Sequence, residues 1–131
     1  MQELSDLHIH SNLSDGVLSP KEIIDRAVNN GIKVIAIADH DTISAYNKDL
    51  FRYAEDKGIM LIKAAEISTR YKGRGIHVLG YNFDLDNEEL GNKLYTIRNA
   101  RHTYLHSVAS KLEMLGYIVN VDYLDKIEAV T

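Results

Sequence analysis

Apolar and polar positions alternate in "LHIH", residues 7–10. Alternation at period two is the mark of a strand, so Leu7 and Ile9 are predicted on one face and His8 and His10 on the other. The period then changes. Ser19-Pro20-Lys21-Glu22 reads as a helix start, with Ser19 as N-cap, Pro20 in the first helical position and Glu22 closing a capping box. That helix is predicted to carry Ile23, Ile24, Ala27 and Val28 inward and to stop at Gly31. "VIAIA", residues 34–38, is a short unbroken apolar run, as expected of a strand buried on both faces in a parallel sheet. A second helix follows, with Ala45, Leu50, Phe51 and Ala54 as its inner face and Gly58 as its stop, and "IMLIKAAEI" is the third strand, ending near Glu66.

Strand, helix, strand, helix, strand is the opening of an α/β fold with right-handed crossovers. Beyond Glu66, "YKGRG" is too short to cross back over a sheet and reads as a hairpin turn before "IHVLGYNF". Asp86 and Glu89 are spaced as a capping box. They open a long helix with Leu90, Leu94, Ile97, Leu105, Val108, Leu112 and Leu115 on one face before Gly116. This helix is expected to pack outside the sheet. "YIVNV" is read as a further strand and "DYLDKIEAV" as a short final helix.

Composition adds three constraints. With 131 residues, 45% of them hydrophobic and 26% charged, the chain has the size and make-up of one domain. A net charge of −4 gives no general attraction to nucleic acid or to an anionic membrane, so a phosphate-bearing ligand needs a local positive site. The absence of cysteine excludes disulfides and thiolate metal sites. No signal-like or membrane-spanning run occurs at the N-terminus, and the cytoplasm is the expected location.

His8, His10, Asp15, His40, Glu66 and His77 are all metal-ligand types, and most fall at or just past predicted strand ends, where α/β folds place their ligands. Singly each has a plainer explanation: a hydrogen-bonded strand histidine, an Asp-Gly turn, or helix caps at Asp39 and Asp41. Jointly they gather on segments that the topology brings together. No lysine or arginine cluster lies among them to pair the carboxylates.

The stretch "DLHIHSNLSDGVLSPKEIIDRAVNNGIKVIAIADHDT", followed by "AAEIST" and "GIHVLGY", resembles the PHP (polymerase and histidinol phosphatase) family from about Asp6 to Phe83. It is most similar to the small stand-alone members that hydrolyse nucleotide and oligonucleotide phosphates. The resemblance implies the N-terminal part of a distorted (β/α)7 barrel with up to three divalent metals, manganese, iron or zinc, at the strand C-terminal ends. His8 and His10 are implied to hold one metal, which Glu66 bridges to a second bound by His77, while Asp15 and His40 hold the third. Asp39 and Asp41 flank His40 and are expected to orient imidazole N–H groups.

The implied activity is hydrolysis of a phosphate monoester, a small nucleotide or short oligonucleotide, by a metal-activated hydroxide. Histidinol phosphate is the alternative substrate. Arg98 and Arg101 have two readings: pairing with acidic neighbours at the surface, or, for Arg101 above all, contact with a substrate phosphate in the catalytic site. His102 and His106, four apart, are read as a solvated helix face rather than as ligands. The family completes its site with a further histidine and an Asp-x-His pair that do not occur before Thr131. Residues 1–131 are therefore expected to be one PHP-like domain cut short at its C-terminus, self-associating or needing a missing C-terminal half. Two rival readings remain, a non-catalytic metal-binding or regulatory module and a structural half-barrel.

Overall fold

The computed structural model describes residues 4–120. In chain order its elements are β1 (Leu4–Ile9), α1 (Pro20–Asn29), β2 (Ile32–Ile37), α2 (Lys48–Asp56), β3 (Met60–Tyr71), β4 (Arg74–Tyr81) and α3 (Glu88–Met114). The strands lie side by side as β1-β2-β3-β4, the first two pairings parallel and β3–β4 antiparallel. An α/β architecture with helical crossovers is what the alternating pattern predicts.

The "VIAIA" run is buried on both sides of the sheet. Ile35 and Ile37 pack with Ile23, Ile24, Ala27, Leu50 and Ala54 beneath α1 and α2, while Ala36 and Ala38 face the other way beside Ala64, Ile62 and Leu79. This second face is curled: the Tyr81 hydroxyl on edge strand β4 donates to the Leu7 carbonyl on edge strand β1 at 2.9 Å. The Ser19–Glu22 capping box of α1 forms as expected. Leu7 and Val28, predicted inward, are 40% and 39% exposed, Leu7 because β1 is an outer strand among the described residues. Ala45 is buried but precedes α2, whose N-cap is Asn47.

Two boundaries differ from the sequence reading. β3 does not end near Glu66 but runs on to Tyr71, because from Ala64 onward it pairs with β4 through a Lys72-Gly73 turn. Both turn residues have positive φ, 49° and 79°, the backbone that a two-residue hairpin loop requires. α3 is capped by Asn87, whose side chain accepts from Leu90 N–H, rather than by Asp86. Along its predicted apolar face Leu94 is buried, but Leu112 and Leu115 are exposed. Tyr117 to Asn120 form no strand, and the predicted final helix lies outside the described residues. No described helix is long and apolar enough to cross a membrane.

One side chain missed in the sequence holds the sheet open next to the site. The Tyr46 hydroxyl sits between β2 and β3, accepting from Ile37 N–H (3.2 Å) and Ala64 N–H (2.8 Å) and placed to donate to the carbonyl of Ile37 (2.6 Å) or Ile62 (3.0 Å). Burial pushes its pKa up to about 12 against the opposing pull of the backbone N–H bonds, so it stays a donor throughout the neutral range. Tyr46→Phe is expected to cost about 1–3 kcal/mol, because ladder groups are left buried and unpaired. A urea midpoint equal to the parent's, at equal slope, would show that the two strands close directly on each other.

Candidate metal centre

The site grows out of the β2–β3 seam. Beyond the Tyr46 wedge the two strands meet again in unchanged register: Ile37 is opposite Lys63, and His40 is opposite Glu66. The bridge is made by Glu66 N–H to the Asp39 carbonyl (3.1 Å) and Asp41 N–H to the Glu66 carbonyl (2.9 Å). Directly opposed residues project to the same face, so a buried imidazole and a buried carboxylate are brought together by the backbone itself.

The loop after β1 brings the second carboxylate. Ser14 N–H and Gly16 N–H both donate to the Ser11 carbonyl, folding residues 11–16 into a tight turn. Asp39 fixes the turn from below. Its carboxylate accepts from Ser11 N–H, Ser11 Oγ and Ser14 Oγ, each at 2.6 Å. Asp15 is thereby held with Oδ1 3.2 Å from His10 Nδ1 and Oδ2 3.8 Å from His40 Nε2.

Glu66 lies at the centre. Its Oε2 is 2.7 Å from His8 Nε2 and 3.1 Å from His10 Nε2, and its Oε1 is 2.9 Å from His77 Nδ1. The Nε2 atoms of His8 and His10 are themselves only 3.1 Å apart. Three sets of donors result, each within 4.8 Å: His8, His10 and Glu66; His10, Asp15 and His40; His40, Glu66 and His77. All six residues carried forward as metal ligands in the sequence are thus brought into one cluster.

The electrostatics favour a cation. Burial alone, the strongest single influence, raises the pKa of Glu66, but the His8 hydrogen bond and the charges of His40, His8 and His10 together hold it below the usual carboxylate value. Burial lowers the pKa of His40, partly offset by Glu66, and so favours the neutral imidazole that can ligate. Among the described residues the ion-pair partners of Glu66 and Asp15 are imidazoles alone. Imidazole nitrogens and carboxylate oxygens converging in three overlapping groups form a donor set that a dication satisfies. The nitrogen and oxygen donor set, without sulfur, fits a divalent metal.

The residues flanking His40 do not behave as expected. Neither Asp39 nor Asp41 hydrogen-bonds an imidazole, and His40 Nδ1 is buried without a hydrogen-bond partner. The chain has left the strand here: β2 ends at Ile37 and Asp41 has φ 53°, so with His40 turned into the cluster the residues beside it reach other partners. Asp39 holds the Ser11–Ser14 turn, and Asp41 Oδ1 accepts from Ser68 N–H at 2.7 Å. Nor is Arg101 paired with acidic neighbours at the surface. Its guanidinium reaches in from α3 to Asp41 Oδ2 (3.1 Å) and Ser68 Oγ (2.7 Å). The contact with Asp41 is an ion pair without hydrogen-bond alignment. Arg98 lies near it, lining a small cleft with Asp41, Thr42 and Tyr95. His102 and His106, with ring centroids 4.8 Å apart, belong to none of the three donor sets.

Comparison with known proteins finds relatives along most of this chain. The chain is 41% identical over 116 residues, 88% of its length, to a 5'-3' exoribonuclease of Haemophilus influenzae. It is 32% identical over 111 residues, 85% of its length, to a 3',5'-nucleoside bisphosphate phosphatase of Chromobacterium violaceum. It covers 42% and 39% of those proteins, so it spans about two fifths of the relatives it matches. Among solved structures, an amidohydrolase from Chromobacterium violaceum with bound sulfate superposes with a TM-score of 0.79 at 30% identity, covering 90% of this chain and 41% of that one. A protein from Bifidobacterium adolescentis described as a metal-dependent phosphoesterase gives 0.82 at 25% identity, covering 93% and 42%. The PHP domain matches residues 6–127, nearly the whole sequence, and the chain belongs to that family.

Proposed function

We propose that this chain carries the N-terminal share of a metal-dependent phosphoesterase that hydrolyses phosphate monoesters of nucleotides or short oligonucleotides. The observation that carries the reading is Glu66, a buried carboxylate with imidazole nitrogens of His8, His10 and His77 against its two oxygens. In this reading Glu66 spans two metals, the first also held by His8 and His10 and the second by His77, with Asp15 and His40 holding a third. Divalent metal bound there supplies Lewis acidity toward phosphoryl oxygens and lowers the pKa of water toward neutrality. The protein's own part is placement: Asp39 sets the Asp15 turn, Asp41 sits on the His40–Glu66 bridge, and Arg101 neutralises Asp41 at the edge of the cluster.

The relatives' activities supply the substrate class, since a nucleoside bisphosphate and the 5' end of an RNA both present a terminal phosphate next to a ribose. The outer edges of β1 and β4 support a further partner, the remainder of a longer chain or a second copy, because an unpaired strand edge is a template for another strand. A cysteine-free, cation-dependent enzyme of this kind suits the cytoplasm.

The test is phosphate release by the intact protein from a nucleoside 3',5'-bisphosphate, a 5'-phosphorylated oligoribonucleotide and histidinol phosphate. Each is assayed after chelation and again after adding back manganese, iron(II) or zinc. Metal-dependent release from either nucleotide substrate is expected. Metal bound tightly with no ester cleaved would favour the binding-module reading, and preference for histidinol phosphate would move the substrate class.

A further inference from the structure

Asp41 combines three unusual properties. It is 1% exposed, its backbone adopts φ 53° although it is not glycine, and both its carboxylate oxygens are engaged by β3 and α3. The backbone ladder explains the first engagement. In a parallel pairing with His40 opposite Glu66, the rung after Asp41 N–H to the Glu66 carbonyl runs from Ser68 N–H to the carbonyl of Asp41. Positive φ takes Asp41 out of strand geometry, and its own Oδ1 meets Ser68 N–H instead, at 2.7 Å. The carboxylate is a side-chain rung that extends the ladder one step past the two ligands. Arg101 then contacts both members of that rung at once, Ser68 Oγ and Asp41 Oδ2.

We propose that Asp41 and Arg101 are positioning residues that lock the spacing of His40 and Glu66, with Arg101 clamping the rung from α3 so that the placement of this helix sets how tightly the centre holds metal. The proposal rests on the reading of the cluster as a metal site. No atom of Asp41 or Arg101 need touch metal or substrate. The rung acts through the backbone that carries His40 and Glu66, and partners of metal ligands of this kind typically change metal affinity about 10–100-fold when lost.

The substitutions separate side chain from backbone. Glycine accepts φ 53° without strain, and asparagine tolerates it, so neither penalises the conformation. Asp41→Gly removes the rung and the ion pair. Asp41→Asn keeps an acceptor for Ser68 N–H and loses the ion pair, as does Arg101→Ala. Manganese affinity of the intact protein, measured with the metal alone after chelation, is expected to fall about 10–100-fold for Asp41→Gly. Asp41→Asn and Arg101→Ala should each fall by less, Arg101→Ala the more of the two because it also loses the bond to Ser68 Oγ. Adding Arg101→Ala to Asp41→Gly should cost less than it costs the parent, because only the Ser68 Oγ contact is left to lose. Melting in chelator reports folding separately; Asp41→Asn is expected to melt closest to the parent, and Arg101→Ala lower, because it leaves the buried Asp41 carboxylate without its counter-charge.

Asp41→Gly binding manganese as tightly as the parent would overturn the proposal. So would Arg101→Ala weakening the glycine variant as much as it weakens the parent, or metal loss that merely follows a collapse of the chelated protein. A parent protein that binds no manganese, iron(II) or zinc would overturn the metal-centre reading itself.

Discussion

Glu66→Gln is expected to empty two of the three donor sets together and, on the proposed phosphoesterase reading, to lower turnover by roughly a thousandfold, the equivalent of about 4 kcal/mol of metal-supplied stabilisation. The two oxygens of Glu66 face different partners, Oε2 toward His8 and His10 and Oε1 toward His77. Glutamine is uncharged and has one acceptor oxygen and an amide NH2, so one side loses its ligand atom outright and the other keeps only a neutral oxygen. The fold should tolerate the change. In the absence of metal the variant removes a buried negative charge and keeps the backbone bridge to His40, so it is expected to melt near the parent in chelator. Added metal separates them: at a hundred times its Kd, a ligand bound only by the folded form stabilises by about 2.7 kcal/mol, and the variant should forfeit most of that. Elemental analysis with melting in the presence and absence of manganese decides it. If Glu66→Gln keeps as much metal as Asp15→Asn, which disturbs one donor set, Glu66 is not shared between sets.

Much of this centre is legible in the sequence because local patterns carry it. Alternation in "LHIH" puts His8 and His10 on one face, and the helix signals at Ser19, Pro20 and Gly31 return the chain to a second parallel strand ending beside His40. What the sequence leaves out depends on pairing between distant segments. The opposition of His40 and Glu66 is a matter of register, and nothing near either residue specifies it. The length of β3 is set by β4, and the "YKGRG" turn reveals the hairpin without saying where the two strands stop. Arg101 falls between Ile97 and Leu105, four positions either way on the predicted apolar face, a hint that it points inward; what it reaches is hidden, because its partner is 60 positions away and buried. Tyr46 carries no signal at all, since a tyrosine before a helix is ordinary until two strands are seen to share its hydroxyl. Seen from the sequence, the Asp39 and Asp41 carboxylates flank the His40 imidazole. In the fold they turn to other partners, Asp39 to the Ser11–Ser14 turn and Asp41 to Ser68 and Arg101, and fasten the scaffold around the imidazole.

Gly16 shows how a turn residue can decide metal content. A Cβ built on Gly16 would lie 2.2 Å from the carbonyl oxygen of His10 and 2.6 Å from its carbonyl carbon. Both are backbone atoms, so no flexible side chain can move aside, and the turn must open. Opening it breaks Gly16 N–H to the Ser11 carbonyl and pulls on the Asp39 bonds to Ser11 and Ser14. Asp15, next to Gly16, is then carried away from His10 and His40. Gly16→Ala is therefore expected to cost several kcal/mol, in the range of steric overpacking and broken buried hydrogen bonds combined, about 2–5 kcal/mol. It should also abolish metal binding at the His10, Asp15 and His40 set. The other two sets do not include Asp15, so the variant should retain metal at His8, His10 and Glu66 and at His40, Glu66 and His77. Asp15→Asn provides the comparison: it should lose metal at the same set with little loss of stability, because the turn remains closed. Metal titration and chemical denaturation of the two variants side by side separate turn from ligand. A glycine variant that melts with the parent and holds full metal would mean that the turn relaxes without moving Asp15, and that this carboxylate does not depend on the close approach of residue 16 to His10.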